Sequence, residues 1–479
     1  MGLLEWDERT KLPPAGGDYR AEQVAFLAGE IHRRQIDPVR GEWLATLADS
    51  PLAADPDSDA GAIIRLMRRD YQRETKLPQE LVEELSRLSV RGQQIWAEAR
   101  GADDFAMFLP VLDQTLALKR EQASALGYDA TPYDPLLDEF EPGETTANVA
   151  RVLEGLRDAL APLVDQIVGS DRGPQSDVLQ RDFPEDAQEA FGIEAAAAIG
   201  FDFNAGRLDR TVHPFCSTSG PRDVRLTTRY RRNDFGDAFF SILHEAGHGL
   251  YEQGLPAEQF GLPLGEATSL GIHESQSRMW ENQVARSRAF WQSMLPRAAA
   301  RFPALADAGV DEFYGAVNAV APSLIRVDAD EVTYNLHICI RFDLERQLIE
   351  GRLAARDLPD AWRAAYESYL GVTPPNDAQG VLQDVHWSGG AFGYFPTYAL
   401  GNLYAAQFFA QAERDLGDLP TMFARGEFAP LLEWLRANIH RHGRRYSAAQ
   451  LAERITGKPL SHADWLGQCT AKYSELYRL

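Results

Sequence analysis

The chain has 479 residues, 44% of them hydrophobic, with three cysteines and a formal net charge of −23. That length and apolar content suffice for a large core and more than one lobe, while the acidic balance argues against nucleic acid or an anionic membrane surface as the main partner. Cys216, Cys339 and Cys469 are far apart and lack CxxC spacing, which speaks against a disulfide framework or thiolate metal site and reads each as a small buried hydrophobe.

Residues 1–14 carry Asp7, Glu8, Arg9 and Lys11 and no apolar signal core. No stretch has the uninterrupted apolar length that spans a bilayer, so a cytoplasmic protein is expected. Apolar residues then recur at three- and four-residue intervals over 19–32, 59–74 and 78–100, the pattern of amphipathic helices. Pro78 suits the first turn of its helix, where a missing N–H costs nothing. Residues 105–126 and 145–167 extend the helical series, and 51–58 and 169–176 are the clearest loops.

The pattern changes at residue 200. Residues 207–215 and 223–231 alternate in strand fashion around the turn-rich stretch 216–221. In the second run Val224, Leu226 and Thr228 face one side, and Arg225, Thr227 and Arg229 the other. Its edge is expected to pair with an extended peptide through main-chain hydrogen bonds. The plainer reading is an ordinary hairpin.

Next comes His244-Glu245-Ala246-Gly247-His248. Two histidines four apart on a helix lie about 40° apart around its axis, so both imidazoles reach one metal ion. Glu245 sets a carboxylate beside it, giving the HExxH pattern of a zinc site with a glutamate general base. Asn233 or Asp234 would cap this helix and Gly254 would end it. Three fixed positions alone are a weak signal. Hydrolysis needs a third protein ligand and one open position. Glu274, in a helical run expected over 269–294, suits that role, with neighbouring His273 as the alternative.

Further on, Arg326 stands among acids in 325–334, where a guanidinium could grip a substrate carboxylate through a bidentate pair. Gly389, Gly390 and Gly393 make a loop able to lie against a ligand backbone. His386 and Tyr394 beside it are candidate donors to the oxyanion of a tetrahedral intermediate. Helices over 396–416, 431–442 and 447–456 follow, with Trp434 and Trp465 as core anchors.

Several elements occur in order: His213-Pro214-Phe215, Asp223-x-Arg225-x-Thr227, HExxH at 244–248, His273-Glu274-Ser275-Gln276, Ile325-Arg326-x-x-Ala329-Asp330 and Gly380-x-x-Gln383-Asp384-x-His386-Trp387. Together they closely resemble the carboxypeptidase Taq family of zinc metallocarboxypeptidases, over essentially the whole chain. The resemblance implies a mainly α fold: a two-lobed helical peptidase with a deep central groove, neurolysin-like, and a small β-sheet beside the metal. It implies one catalytic domain over 1–479, with an N-terminal helical region to about 200, a zinc-site region over 201–400 and C-terminal helices over 401–479.

The resemblance further implies metal ligands at His244, His248 and Glu274, with Glu245 as base and His386 and Tyr394 in catalytic positions. Arg326, Arg225 and His213 fall on the substrate side. One zinc per subunit, replaceable by cobalt, a homodimer and peptide substrates with a free C-terminus complete the expectation. The alternative is a zinc endo-oligopeptidase of similar groove architecture. A non-catalytic peptide-binding protein is a third reading.

Overall fold

The computed structural model describes residues 1–479, apart from the side chains of residues 14, 18, 21 and 25. Helices dominate, and the sheet found among the described residues has three short strands, so the mainly α class read from the sequence holds. Two compact units emerge, each assembled from three segments. Residues 1–74, 174–319 and 404–459 form one, and 75–173, 320–403 and 460–479 the other. Each unit thus draws on all three of the consecutive regions read from the sequence.

Helices start where a side chain can satisfy a free backbone N–H. Asp104 accepts from Met107 N at 3.3 Å to begin Phe105–Leu126, and Thr145 accepts from Asn148 N at 3.2 Å to begin Thr146–Val168. Asp59–Glu74 and Pro396–Leu416 lie where the apolar periodicity puts them. Pro78 is the N-cap of Gln79–Ala102, one position outside the first turn. Trp434 and Trp465 are buried as expected, and so are Cys339 and Cys469, whereas Cys216 is only half-buried.

The sheet corrects the hairpin reading. β1 (Gly206–Arg210) and β3 (Val224–Thr228) pair in parallel, and β2 (Cys216–Thr218), inside the stretch read as a turn, runs antiparallel to β3. The order β1-β3-β2 makes β3 the central strand. Its main chain is occupied on both sides, so it offers no edge to a peptide. The expected alternation also breaks, because Thr227 is as buried as Val224, Leu226 and Thr228. Phe215 explains this burial, since its N–H donates to Thr227 Oγ1 at 2.8 Å and its carbonyl accepts from that hydroxyl at 2.9 Å.

The second unit buries a charged cluster. Arg326 Nε donates to Asp384 Oδ1 at 3.0 Å and Arg341 Nε to Asp384 Oδ2 at 2.7 Å. Gln383 Oε1 accepts from Arg341 and from Arg326 N. Burial would push the Asp384 carboxyl up, but the two guanidiniums outweigh it and hold the group well below the usual carboxylate range. Asp384→Ala should therefore cost about 3–5 kcal/mol in urea unfolding, because two buried cations lose their shared partner. A depressed carboxylate stabilises above its unfolded pKa of about 3.9, and that contribution fades as pH falls through its native value. The unfolding midpoint should accordingly drop in acid below about pH 4, and less steeply in Asp384→Asn.

Candidate metal centre

Asp234 opens the Phe235–Gly254 helix, accepting from Asp237 N at 3.1 Å. Its first turn is locked in aromatic packing. Phe235 meets Phe183, Phe302 and Phe313 edge-on and stacks against Phe239 at 5.2 Å. The turns that follow carry His244 and His248, whose ring centroids are 4.9 Å apart.

A second helix supplies the third group. Ser269 accepts from Ile272 N at 3.1 Å and starts Leu270–Arg278. Glu274 Oε2 lies 3.5 Å from His244 Nε2 and 3.4 Å from His248 Nε2. One donor atom from each of the three residues falls within 4.8 Å of the others. Glu274, rather than the alternative His273, completes this convergence.

The two helices reach this separation because residue 247 has no side chain. A Cβ there would lie 2.6 Å from Ser277 Cα and 2.7 Å from the Gln276 carbonyl oxygen, both backbone atoms that cannot yield. On another side of the same helix, a Cβ at Gly249 would meet Phe201 at 2.6 Å and Leu226 of β3 at 3.0 Å. The helix is thus held close to its partner helix and to the sheet.

The single run expected over 269–294 is broken. After Arg278 the backbone widens into a π-helical segment, Met279–Ala285, and Ser287 restarts an α-helix by accepting from Phe290 N at 3.1 Å. This segment brings Glu281 to His244, with Nδ1 to Oε2 at 2.9 Å. Arg278 ties the two carboxylates together, reaching Glu274 Oε1 at 2.7 Å and Glu281 Oε2 at 3.2 Å. Arg286 holds the other Glu281 oxygen at 3.2 Å. On the far side, His248 Nδ1 meets His273 Nδ1 at 2.6 Å, and His273 Nε2 meets Glu252 Oε1 at 2.9 Å.

These contacts set the protonation states. Burial alone would push Glu274 up, but Arg278 and the two histidines bring it well below the usual range. Glu281 is likewise drawn down to about 2, with Arg278 and His244 outweighing its burial. Burial takes His248 down to about 3, leaving it neutral at physiological pH. For His244 burial acts downward too, yet Glu274 and Glu281 together raise it. Glu245 is pushed up to about 7 by burial, partly offset by His244. Two imidazoles and an ionised carboxylate aimed at one point fit a divalent metal of borderline softness.

The remaining expected residues divide between the units. Arg225 and His213 belong to the first: Arg225 makes a two-pronged pair with Asp223 and stacks 4.3 Å over Trp6, while His213 is exposed beyond β1. Arg326, His386 and Tyr394 belong to the second. There the Arg326 guanidinium lies 5.0 Å over the Tyr398 ring, His386 Nε2 is 3.2 Å from the Tyr398 hydroxyl, and the His386 and Tyr394 rings are 5.3 Å apart. Sequence reasoning missed Arg278, Glu281, Glu252 and Gly247 as parts of the metal centre. The spacing of Glu274, Arg278 and Glu281, at i, i+4 and i+7, was a usable sign of one helix face.

The family model described as "Carboxypeptidase Taq (M32) metallopeptidase" matches residues 1–473. The chain is 48% identical to thermostable carboxypeptidase 1 of Thermus thermophilus, over 99% of this chain and 95% of that protein. It is 38% identical to carboxypeptidase 1 of Bacillus subtilis, over 100% and 95%. The crystal structure of an M32 carboxypeptidase from Deinococcus radiodurans superposes with a TM-score of 0.96 at 44% identity, covering 100% of this chain and 96% of that one.

Gly247→Ala tests the helix contact directly. The added methyl should force the ligand-bearing helices apart, lowering stability by roughly 1–3 kcal/mol. It should also weaken metal binding measured by chelator competition, even though every ligand is retained.

Proposed function

The chain belongs to the carboxypeptidase Taq (M32) metallopeptidase family and is a metal-dependent carboxypeptidase; from that premise we propose that zinc is its ion, Glu245 its general base and Arg326 its reader of the substrate C-terminus. The observation that carries the reading is the convergence of His244, His248 and Glu274 on one point, with buried Glu245 following the first histidine.

His244, His248 and Glu274 would hold the ion, with cobalt able to substitute, one per subunit. Bound there, a divalent ion supplies Lewis acidity to the scissile carbonyl and the attacking water. Glu245 accepts the proton of that water and passes it to the leaving amine. A carboxyl poised near neutrality suits this exchange, and burial pushes this one to about 7.

Recognition of the free C-terminus is supported by the charge of the second cluster. Arg326 and Arg341 share the one carboxylate of Asp384, so two positive charges face a single negative one. A substrate carboxylate complements the remainder, and Arg326 has N–H groups beyond those directed at Asp384. His386 is held neutral, burial and then Arg326 drawing it down to about 3, and its Nδ1 has no hydrogen-bond partner. With Nε2 turned to Tyr398, that Nδ1 suits a donor to substrate, Tyr394 lying beside it. His213 and Arg225 contribute to the substrate side. Broad specificity, a homodimer and a cytoplasmic location belong to the same reading. No described helix is long and apolar enough to cross a membrane.

Mass spectrometry of a peptide mixture should show successive single-residue losses from C-termini, abolished by a chelator. Peptides amidated at the C-terminus should resist; their cleavage at an undiminished rate would overturn the assignment of Arg326. Glu245→Gln should fold and bind metal yet lose about 10²–10⁴-fold in kcat. Arg326→Lys, which keeps the charge but loses the fork, should lower kcat/KM by roughly 10- to 100-fold, mostly through KM.

A further inference from the structure

Glu345 is fully buried on the helix Tyr334–Ile349 of the second unit, and no step of the hydrolysis uses it. An apolar side chain of similar volume would avoid the cost of placing a carboxyl there. What the carboxyl gains is three donors. The Tyr133 hydroxyl reaches Oε2 at 2.6 Å, the Gly393 N–H reaches the same oxygen at 3.2 Å, and the Trp387 indole N–H reaches Oε1 at 2.7 Å. Two of these come from opposite ends of one loop. Trp387 follows His386 in the turn His386–Gly389, and Gly393 precedes Tyr394. An indole N–H and a backbone N–H only donate, so both bonds point at the carboxyl whatever its proton. Burial pushes the group up to about 7. A protonated carboxyl still keeps an acceptor lone pair on each oxygen, and the Tyr133 hydroxyl accepts as readily as it donates. The tie holds in either state.

We propose that Glu345 is a positioning residue, its carboxyl holding both ends of the loop so that His386 and Tyr394 keep the separation and orientation from which they serve the substrate. The inference rests on the reading of those two side chains as donors to substrate. The loop is braced from a second direction. Gly393, at φ +90°, lies so close to the short helix Asp134–Leu137 that a Cβ would meet the Leu136 carbonyl carbon and oxygen at 2.6 Å. Tyr133 is the N-cap of that helix, so one segment both bears on the loop and donates to the carboxyl that ties it. Within the loop the Trp387 ring stacks on Phe392 at 5.8 Å, and Ala391 N donates to the His386 carbonyl at 3.0 Å. Freeing either end therefore moves the segment as a whole. A misplacement of about 1 Å in a group that acts on the transition state costs on the order of 100-fold in rate.

The test compares the zinc-loaded wild type with Tyr394→Phe, His386→Gln, Glu345→Leu, Glu345→Gln, Tyr133→Phe and the double variant Tyr394→Phe/Glu345→Leu. Release of the C-terminal residue from an N-blocked dipeptide gives kcat and KM, chelator competition gives zinc affinity, and thermal unfolding reports the fold. Tyr394→Phe and His386→Gln should each lower kcat by about tenfold or more. Glu345→Leu should lower kcat by roughly 10- to 100-fold with KM little changed. Its zinc affinity should stay close to wild type, because the metal ligands belong to the first unit. Glu345→Gln keeps one carbonyl oxygen, which serves only one end of the loop, and should recover part of the lost kcat. Tyr133→Phe removes the donor that lies off the loop, and should lower Tm while kcat stays within about twofold. The double variant should lose less than the product of the two single losses, because both act through Tyr394. Tyr394→Phe and His386→Gln both at wild-type rates would overturn the reading of those donors and this inference with it. Slowed donor variants beside a Glu345→Leu at wild-type rate, multiplicative losses in the double variant, zinc affinity falling with kcat, or kcat falling in step with Tm in Tyr133→Phe would overturn the positioning role alone. Should Glu345→Leu not fold, Glu345→Gln takes its place in each comparison.

Discussion

Two helices touch backbone to backbone at Gly247, and the metal centre depends on that contact. With no side chain at 247, the Gln276–Ser277 backbone approaches to where an added Cβ would lie 2.6 Å from Ser277 Cα and 2.7 Å from the Gln276 carbonyl oxygen. One turn back along that second helix, Glu274 then comes within 3.5 Å of both imidazoles. Gly249 serves the same end toward β3, while Phe235 anchors the first turn in an aromatic core. The histidines are held by a helix clamped on several sides. Neither residue between the Glu and the second His of the motif is chemically active, yet one sets the distance over which the chemistry operates.

Close approach also concentrates charge, and the surrounding residues answer it. Glu274 and Glu281 would repel each other across the histidines if Arg278 did not bridge them, with Arg286 holding the outer oxygen of Glu281. Buried carboxylates persist when such partners outweigh desolvation. Among the described residues no comparable cation is paired with Glu245, and its carboxyl is pushed up where its neighbours are drawn down. Three carboxylates in one site therefore divide electrostatically, Glu274 and Glu281 drawn down and Glu245 pushed up. The second unit repeats the principle with opposite sign, two guanidiniums around one aspartate.

The helical framework was largely legible because its signals are local. Caps such as Asp104, Thr145, Asp234 and Ser269 and the three-four apolar spacing lie within a few residues of the helices they define. The sheet was legible only as strand character. Parallel pairing of β1 with β3, and insertion of β2 within a stretch rich in turn residues, depend on partners far apart along the chain. The π-helical segment at Met279–Ala285 was hidden for a related reason, since the run over 269–294 keeps helical periodicity through it. Regular spacing records which face is buried and is blind to one widened turn.

By itself the sequence determined which groups come together: two imidazoles four residues apart are obliged by helix geometry to share a face, and Glu245 must lie next to the first. The six ordered motifs likewise sufficed for the family. Sequence reasoning preferred Glu274 to its neighbour His273, but only the tertiary structure gives the physical reason, bringing the carboxylate within 3.5 Å of both imidazoles and setting the His273 ring behind His248. Adjacent residues on a helix point about 100° apart, so which one faces the partner depends on how the second helix is rotated and how near it comes. That rotation and that distance are properties of packing at Gly247, which no local pattern encodes.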